Sequence, residues 1–198
     1  MNVEKTGLYS FARLLLNLVY RVIFRVKVAG IHHFPKDENC ILFANHISAW
    51  DPLTVAYVYK HNEIHFFAKD SLFKNRILAA VLRKIHAFPV KRGETDMKAM
   101  RHAMQVLKDG RVLGIFPEGH RNYEGGIAPI ETGIAVMALK SRVPVVPILI
   151  GGRYRLFSKI IVSVGPPIPL DDLTEKPADV DALKEVKARF TQALQALA

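Results

Sequence analysis

Between residues 25 and 164 the chain keeps alternating short apolar runs with stretches of helical periodicity. The runs at 41–44, 64–68, 88–90, 112–116, 145–150 and 160–164 have the length and apolar character of strands, and 25–28 alternates as a short strand before Gly30. Helical patterns occupy 72–85, 95–108 and 131–141. Residues 179–197 place Val180, Leu183, Val186, Phe190, Leu194 and Leu197 on one face, as a closing helix. Asp51-Pro52 opens a further helix, with Asp51 as N-cap and Pro52 at the first helical position. Strands that alternate with helices predict an α/β domain with a largely parallel central sheet flanked by helices. One such domain spans 25–198, and no linker, repeat or low-complexity tract divides it.

Residues 1–24 form a second unit, an amphipathic helix. Residues 8–24 are apolar at most positions, and the exceptions Ser10, Arg13, Asn17 and Arg21 fall in one narrow stripe. A wide apolar face beside basic residues suits a helix lying in a membrane interface. A helix nearly buried in the protein's own core would show the same pattern. Arg13, Arg21 and Arg25 interrupt the apolar run, so the order of a signal peptide is missing. No stretch reaches the ~18 apolar residues of a spanning helix.

The chain carries 28 Lys+Arg against 18 Asp+Glu, a net charge of +10. A surplus of that size implies a polyanionic partner: nucleic acid, an anionic bilayer or a phosphorylated substrate. No aromatic-studded basic groove or nucleic-acid motif accompanies it, so nucleic acid is set aside. Cys40 is the one cysteine, which rules out an intrachain disulfide and suits a reducing compartment. Its place in an apolar run predicts a buried structural thiol.

Two segments carry chemistry. In Asn45-His46-Ile47-Ser48-Ala49-Trp50-Asp51, a histidine at a strand end precedes an aspartate at a helix start. The loop can fold the carboxylate onto the imidazole, fixing its tautomer and stabilising the imidazolium formed when it accepts a proton. That is the base half of a catalytic triad without an enzyme nucleophile, so the attacking group would be a hydroxyl of the substrate. Asp51 could equally be a plain N-cap and His46 an ordinary loop histidine. No third residue at ligand spacing supports a metal site. Ser48 lacks a nucleophile elbow and reads as a capping or orienting residue.

In Phe116-Pro117-Glu118-Gly119-His120-Arg121, Gly119 permits a tight turn, and Arg121 offers a planar fork matched to phosphate oxygens. Glu118 could orient Arg121 or bind a substrate hydroxyl. In parallel sheets, sites form where strands end. His46, Arg92 and Glu118 each follow a predicted strand, and this shared placement predicts that they meet.

These segments resemble the first and third blocks of the glycerolipid acyltransferases, of the lysophosphatidic acid acyltransferase type. Ala87-Phe88-Pro89-Val90-Lys91-Arg92 resembles the second block and Val143-Pro144-Val145-Val146-Pro147 the fourth, in the same order. The resemblance covers about residues 25–165. It implies that His46 is a general base oriented by Asp51, with no acyl-enzyme, no metal and no cofactor. The acceptor hydroxyl of a lysophosphatidic acid would attack the thioester of acyl-CoA or acyl carrier protein. Arg92 and Arg121 would hold the acceptor phosphate, Glu118 and Gly119 would shape its site, and Pro147 would line the acyl or thioester region. Glycerol-3-phosphate, another lysolipid, or a non-catalytic membrane-binding role are the rival expectations.

The sequence departs from the family pattern at several places. His120 replaces the usual Thr, Asn122 a frequent Ser, His86 a usual Gly and Lys91 a usual Asp, and Glu131 lies near a position that is often basic. A lysolipid acceptor further implies a protein peripheral on the cytoplasmic face of the membrane. Its contacts would be the 8–24 helix and the basic residues of 69–92, namely Lys69, Lys74, Arg76, Arg83, Lys84, Lys91 and Arg92. Lys69 is expected to reach the substrate as well.

Overall fold

A computed structural model describes residues 7–36, 38–91, 96–119, 121–122, 127–175 and 179–198. The strands are β1 (Arg25–Ala29), β2 (Ile41–Ala44), β3 (Ile64–Lys69), β4 (Ala87–Val90), β5 (Val112–Ile115), β6 (Val145–Gly152) and β7 (Lys159–Val164). The helices are α1 (Gly7–Ile23), α2 (Asp51–Val58), α3 (Arg76–Lys84), α4 (Met97–Lys108), α5 (Thr132–Ser141), α6 (Asp171–Thr174) and α7 (Val180–Gln195). The strands form one sheet in the order β1-β7-β6-β2-β5-β3-β4. Neighbours pair in parallel except β6 with β7. The expected largely parallel sheet is present, and its five central and edge strands β6, β2, β5, β3 and β4 all end at one rim.

The connections decide which rim position can become a site. From β2 the chain runs through α2 to β3, and from β5 it runs through α5 back to β6. These crossovers travel in opposite directions, so right-handed connections put α2 and α5 on opposite faces. The packing agrees. Val55 and Val58 of α2 join Tyr20, Phe24, Leu42 and Val146 on one face, while Ile134 and Ala138 of α5 join Phe43, Val106 and Phe190 on the other. The crevice above β2 and β5 is therefore the switch point of the sheet, where ligands of such folds bind.

Two local expectations need correction. Asp51 is not the N-cap of α2: Trp50 holds that position and Asp51 is the first helical residue. The carboxylate is turned back to the preceding loop, whose amides need it more than the first helical turn does. The helix expected over 72–85 is two pieces, a 3₁₀ turn at Asp70–Phe73 and then α3. Asn75 divides them, because its side chain caps α3 by accepting from Ile77 and Leu78 N–H.

α1 is apolar on both its inner and its outer side. Tyr20 and Phe24, at and just beyond its end, are buried against the sheet, and Arg13 of the polar stripe turns inward, with Nη2 donating to Tyr59 O at 3.2 Å. The opposite side leaves Leu14 68%, Phe11 63% and Leu18 60% exposed, with Leu15 and Val22 beside them. Neither sequence reading alone describes this helix: one side is core and the other is bare. Cys40 is fully buried as expected, and burial pushes its thiol up to about 12.

His65 on β3 is buried beside the His86 ring at 4.6 Å, and the loss of water pushes its imidazole down to about 4, helped by the nearby charges of His86, Arg111 and His102. The unfolded chain can then take up a proton, from about pH 6.5 downward, that the folded chain refuses until about 4. Stability from this group is complete above that window and is lost as pH falls through it. Between pH 7 and pH 5 the loss should be about 2 kcal/mol. Urea unfolding of His65→Leu at both pH values should show the difference between them shrinking by about that amount.

Candidate active site

The site is assembled from the turn that leaves β2. Asn45 pins that turn to β6, donating from Nδ2 to Ile150 O at 3.0 Å and accepting from Ile150 N–H at 2.7 Å. His46 follows, and its Nδ1 lies 2.8 Å from Asp51 Oδ2. The same oxygen accepts from Ile47 N–H at 2.6 Å and Ser48 N–H at 2.7 Å. Oδ1 accepts from the Tyr154 hydroxyl at 2.8 Å. Asp51 is fully buried, and a buried carboxylate is tolerable only when donors surround it in this way. An ionised carboxylate only accepts, so His46 Nδ1 carries a proton and Nε2 is left as the basic nitrogen. Ser48 acts as expected, its Oγ accepting from Trp50 N–H at 3.3 Å.

The third block is tied to the first. His46 N–H donates to Glu118 Oε1 at 3.4 Å, and Asn122 N–H donates to His46 O at 2.8 Å. Gly119 closes the turn between them at φ +64°, a conformation that side chains with a Cβ resist, and its N–H donates to Phe116 O at 3.2 Å. The imidazole is held flat by a row of rings. His46 stacks on Phe116 at 4.4 Å, and Phe116 stacks on Phe66 at 6.1 Å. Phe66 lies where a Cβ on Gly114 would stand, 2.1 Å from its ring, so glycine in β5 makes room for the row.

The remaining expected residues spread along the rim. Arg121 is exposed two residues beyond Gly119. Lys69 ends β3, exposed, in register with Val90. Arg92 lies outside the described residues, but β4, which precedes it, is three strand spacings from β2, or about 14 Å. Pro147 is buried in register with Phe43, and its ring meets the space beside Gly165. Its described neighbours lie on the α7 side of the sheet, away from His46. Among the described residues no three His, Cys, Asp or Glu side chains gather to hold a metal ion.

Sequence reasoning missed Asn45, Phe116, Gly114 and Tyr154 as site residues. Gly114 inside an apolar strand is a sign of close approach that could have been read. Tyr154 carries no such sign, because nothing in its own neighbourhood points to residue 51.

The sequence model of the family described as Acyltransferase matches residues 25–151, well over half of the chain. The chain belongs to this acyltransferase family. The acyltransferase is 30% identical over 192 residues to the 1-acyl-sn-glycerol-3-phosphate acyltransferase of Bacillus subtilis, an alignment covering 94% of this chain and 93% of the relative. It is 31% identical over 196 residues to the human 1-acyl-sn-glycerol-3-phosphate acyltransferase alpha, covering 93% of this chain and 68% of that one. Its fold is similar to the crystal structure of the 1-acyl-sn-glycerophosphate (LPA) acyltransferase PlsC from Thermotoga maritima, at TM-score 0.72 and 22% identity, over 96% of this chain and 80% of that one.

One departure from the family pattern now has a physical reading. His86 stands where the second block usually has glycine, and its φ is +62°. The left-handed backbone explains the glycine and costs a histidine about 1 kcal/mol. Here His86 Nε2 lies 2.6 Å from the buried Glu63 carboxylate.

Proposed function

We propose that this acyltransferase moves a fatty acyl chain from acyl-CoA or acyl carrier protein to the free hydroxyl of 1-acylglycerol-3-phosphate, giving phosphatidic acid. The observation that carries the reading is the buried His46–Asp51 pair, 2.8 Å apart at the switch point of the sheet, with Glu118 on its backbone. The names of relatives that align along nearly the whole chain favour this acceptor. His46 Nε2 takes the proton of the acceptor hydroxyl as that oxygen attacks the thioester carbon. Asp51 stabilises the imidazolium, which returns the proton to the departing thiolate. The acyl group passes directly between substrates, and the reaction needs neither a metal nor a prosthetic group. Arg121 and Arg92 hold the acceptor phosphate, with Lys69 adding positive charge at the same rim. Glu118 and Gly119 shape the acceptor site. Pro147, on the opposite face of the sheet from His46, takes no part in this transfer.

The reading is tested by giving the purified protein lysophosphatidic acid, glycerol-3-phosphate and a lysophospholipid with a larger headgroup. Each is paired with acyl-CoA and with acyl carrier protein. Phosphatidic acid from the first acceptor is the expected dominant product. Acylation of only the large-headgroup lysolipid, or of none, would contradict it.

The acceptor lives in a bilayer, so the same proposal places the protein peripherally on the anionic cytoplasmic face. Among the described residues no helix is long and apolar enough to cross a membrane. The bare side of α1 is a ready contact. Right-handed crossovers put α3 on the same face of the sheet, where Ile77, Leu78 and Val81 are also exposed beside Arg76, Arg83 and Lys84. Deleting 1–24 would strip Tyr20 and Phe24 from the core, so point changes are the cleaner test. Leu14→Glu with Leu18→Glu should weaken binding to anionic vesicles about tenfold or more, and added salt should weaken the wild type. Binding that ignores both would exclude this docking face.

A further inference from the structure

Asp51 is gripped from two sides, and the second grip has no part in the reaction written above. Its Oδ2 serves His46, Ile47 and Ser48, while its Oδ1 accepts from Tyr154, which is 103 residues away in the chain. The Tyr154 hydroxyl also lies 2.6 Å from Thr54 Oγ1, and that oxygen lies 2.8 Å from the Tyr20 hydroxyl. The proton directions follow from the acceptor-only end. Tyr154 gives its one proton to Asp51, so Thr54 must give its own to Tyr154, and Tyr20 must give its own to Thr54. The Trp50 carbonyl, 3.2 Å from both Thr54 Oγ1 and the Tyr20 hydroxyl, competes only weakly. Burial, and next the charge of Asp51, hold the Tyr154 phenol well above the usual range, and burial does the same for Tyr20. Both stay protonated and remain donors. Hydrogen bonds aligned head to tail strengthen one another. The row starts on α1, crosses α2 and ends on the carboxylate.

We propose that Tyr154, backed by Thr54 and Tyr20, is a positioning residue for the base: its hydroxyl locks the Asp51 carboxylate against rotation, and so fixes the ring of His46. Without that donor Oδ1 is left against an aromatic edge, and the carboxylate gains by turning away from His46. The ring of Tyr154 packs on Phe24 at 5.5 Å, which Tyr154→Phe preserves. This inference rests on His46 being the base.

The test is kinetics and proton NMR on Tyr154→Phe, Thr54→Val and Tyr20→Phe, with His46→Ala alongside. Tyr154→Phe should lower kcat by about ten- to a hundredfold with KM nearly unchanged. Thr54→Val and Tyr20→Phe should follow with progressively smaller losses. The downfield resonance of the His46 Nδ1 proton should move in Tyr154→Phe, which a merely structural role would not produce. Should Tyr154→Phe fail to fold, Thr54→Val reads the same row one hydroxyl further back. Wild-type kcat with an unmoved resonance in the folded variants, while His46→Ala is inactive, would overturn this inference alone. Activity in His46→Ala would instead remove the base reading beneath it.

Discussion

Replacing His46 with alanine should lower kcat by about a hundred- to ten-thousand-fold, the range that a positioned general base contributes. KM should change little, because the acceptor phosphate and the acyl chain are held elsewhere in the proposed site. The fold should survive. Asp51 keeps the Ile47, Ser48 and Tyr154 donors, so no buried charge is stranded, and the stability loss should stay within about 1–2 kcal/mol. Steady-state kinetics with thermal unfolding of the same sample checks both halves. A variant that is inactive because it is unfolded would show itself in the second measurement.

Asp51 should separate charge from architecture. In Asp51→Asn the amide oxygen can take the place of Oδ2 and keep the His46, Ile47 and Ser48 donors, while its NH₂ faces Tyr154, whose oxygen can accept. The loop is kept, but the negative charge that stabilises the imidazolium is gone. The expected result is a large fall in kcat, about a hundredfold or more, with a nearly unchanged midpoint of unfolding. Asp51→Ala removes the acceptor altogether. Two loop amides and a buried phenol then lose their partner, at about 1–3 kcal/mol for each group that water cannot reach. That variant should lose several kcal/mol of stability as well as activity. Equal stability loss in both variants would mean that Asp51 is not the hub of the loop.

The parts of this site legible in the sequence are those written locally. The strand and helix runs gave the sheet, because a buried parallel strand must be apolar on both faces, as Ile41–Ala44 is. The His46-to-Asp51 loop is short enough for its two ends to meet, and the meeting was predicted. That Glu118 reaches His46 was foreseen only through their shared place at strand ends. Strand order, which makes β2 and β5 neighbours, lies in no local pattern. Tyr154 was invisible for the same reason: its contact with Asp51 exists only because β6 returns beside β2. Asp before Pro is so often an N-cap that the pattern alone puts Asp51 one position too early. Here the demand of the loop amides outweighs that of the helix end. Whether α1 faces a membrane or the core is not legible in the sequence, since periodicity reports how wide an apolar face is and not how it is divided.

The central claim is that His46 activates the acceptor's hydroxyl and that the acyl group never rests on the protein. Intact-mass analysis of the purified protein held with acyl-CoA in the absence of any acceptor tests this most directly. The account predicts an unmodified protein mass, with acyl transfer beginning only when lysophosphatidic acid is added. A protein heavier by one acyl group before the acceptor arrives, and discharged by it afterwards, would contradict the account.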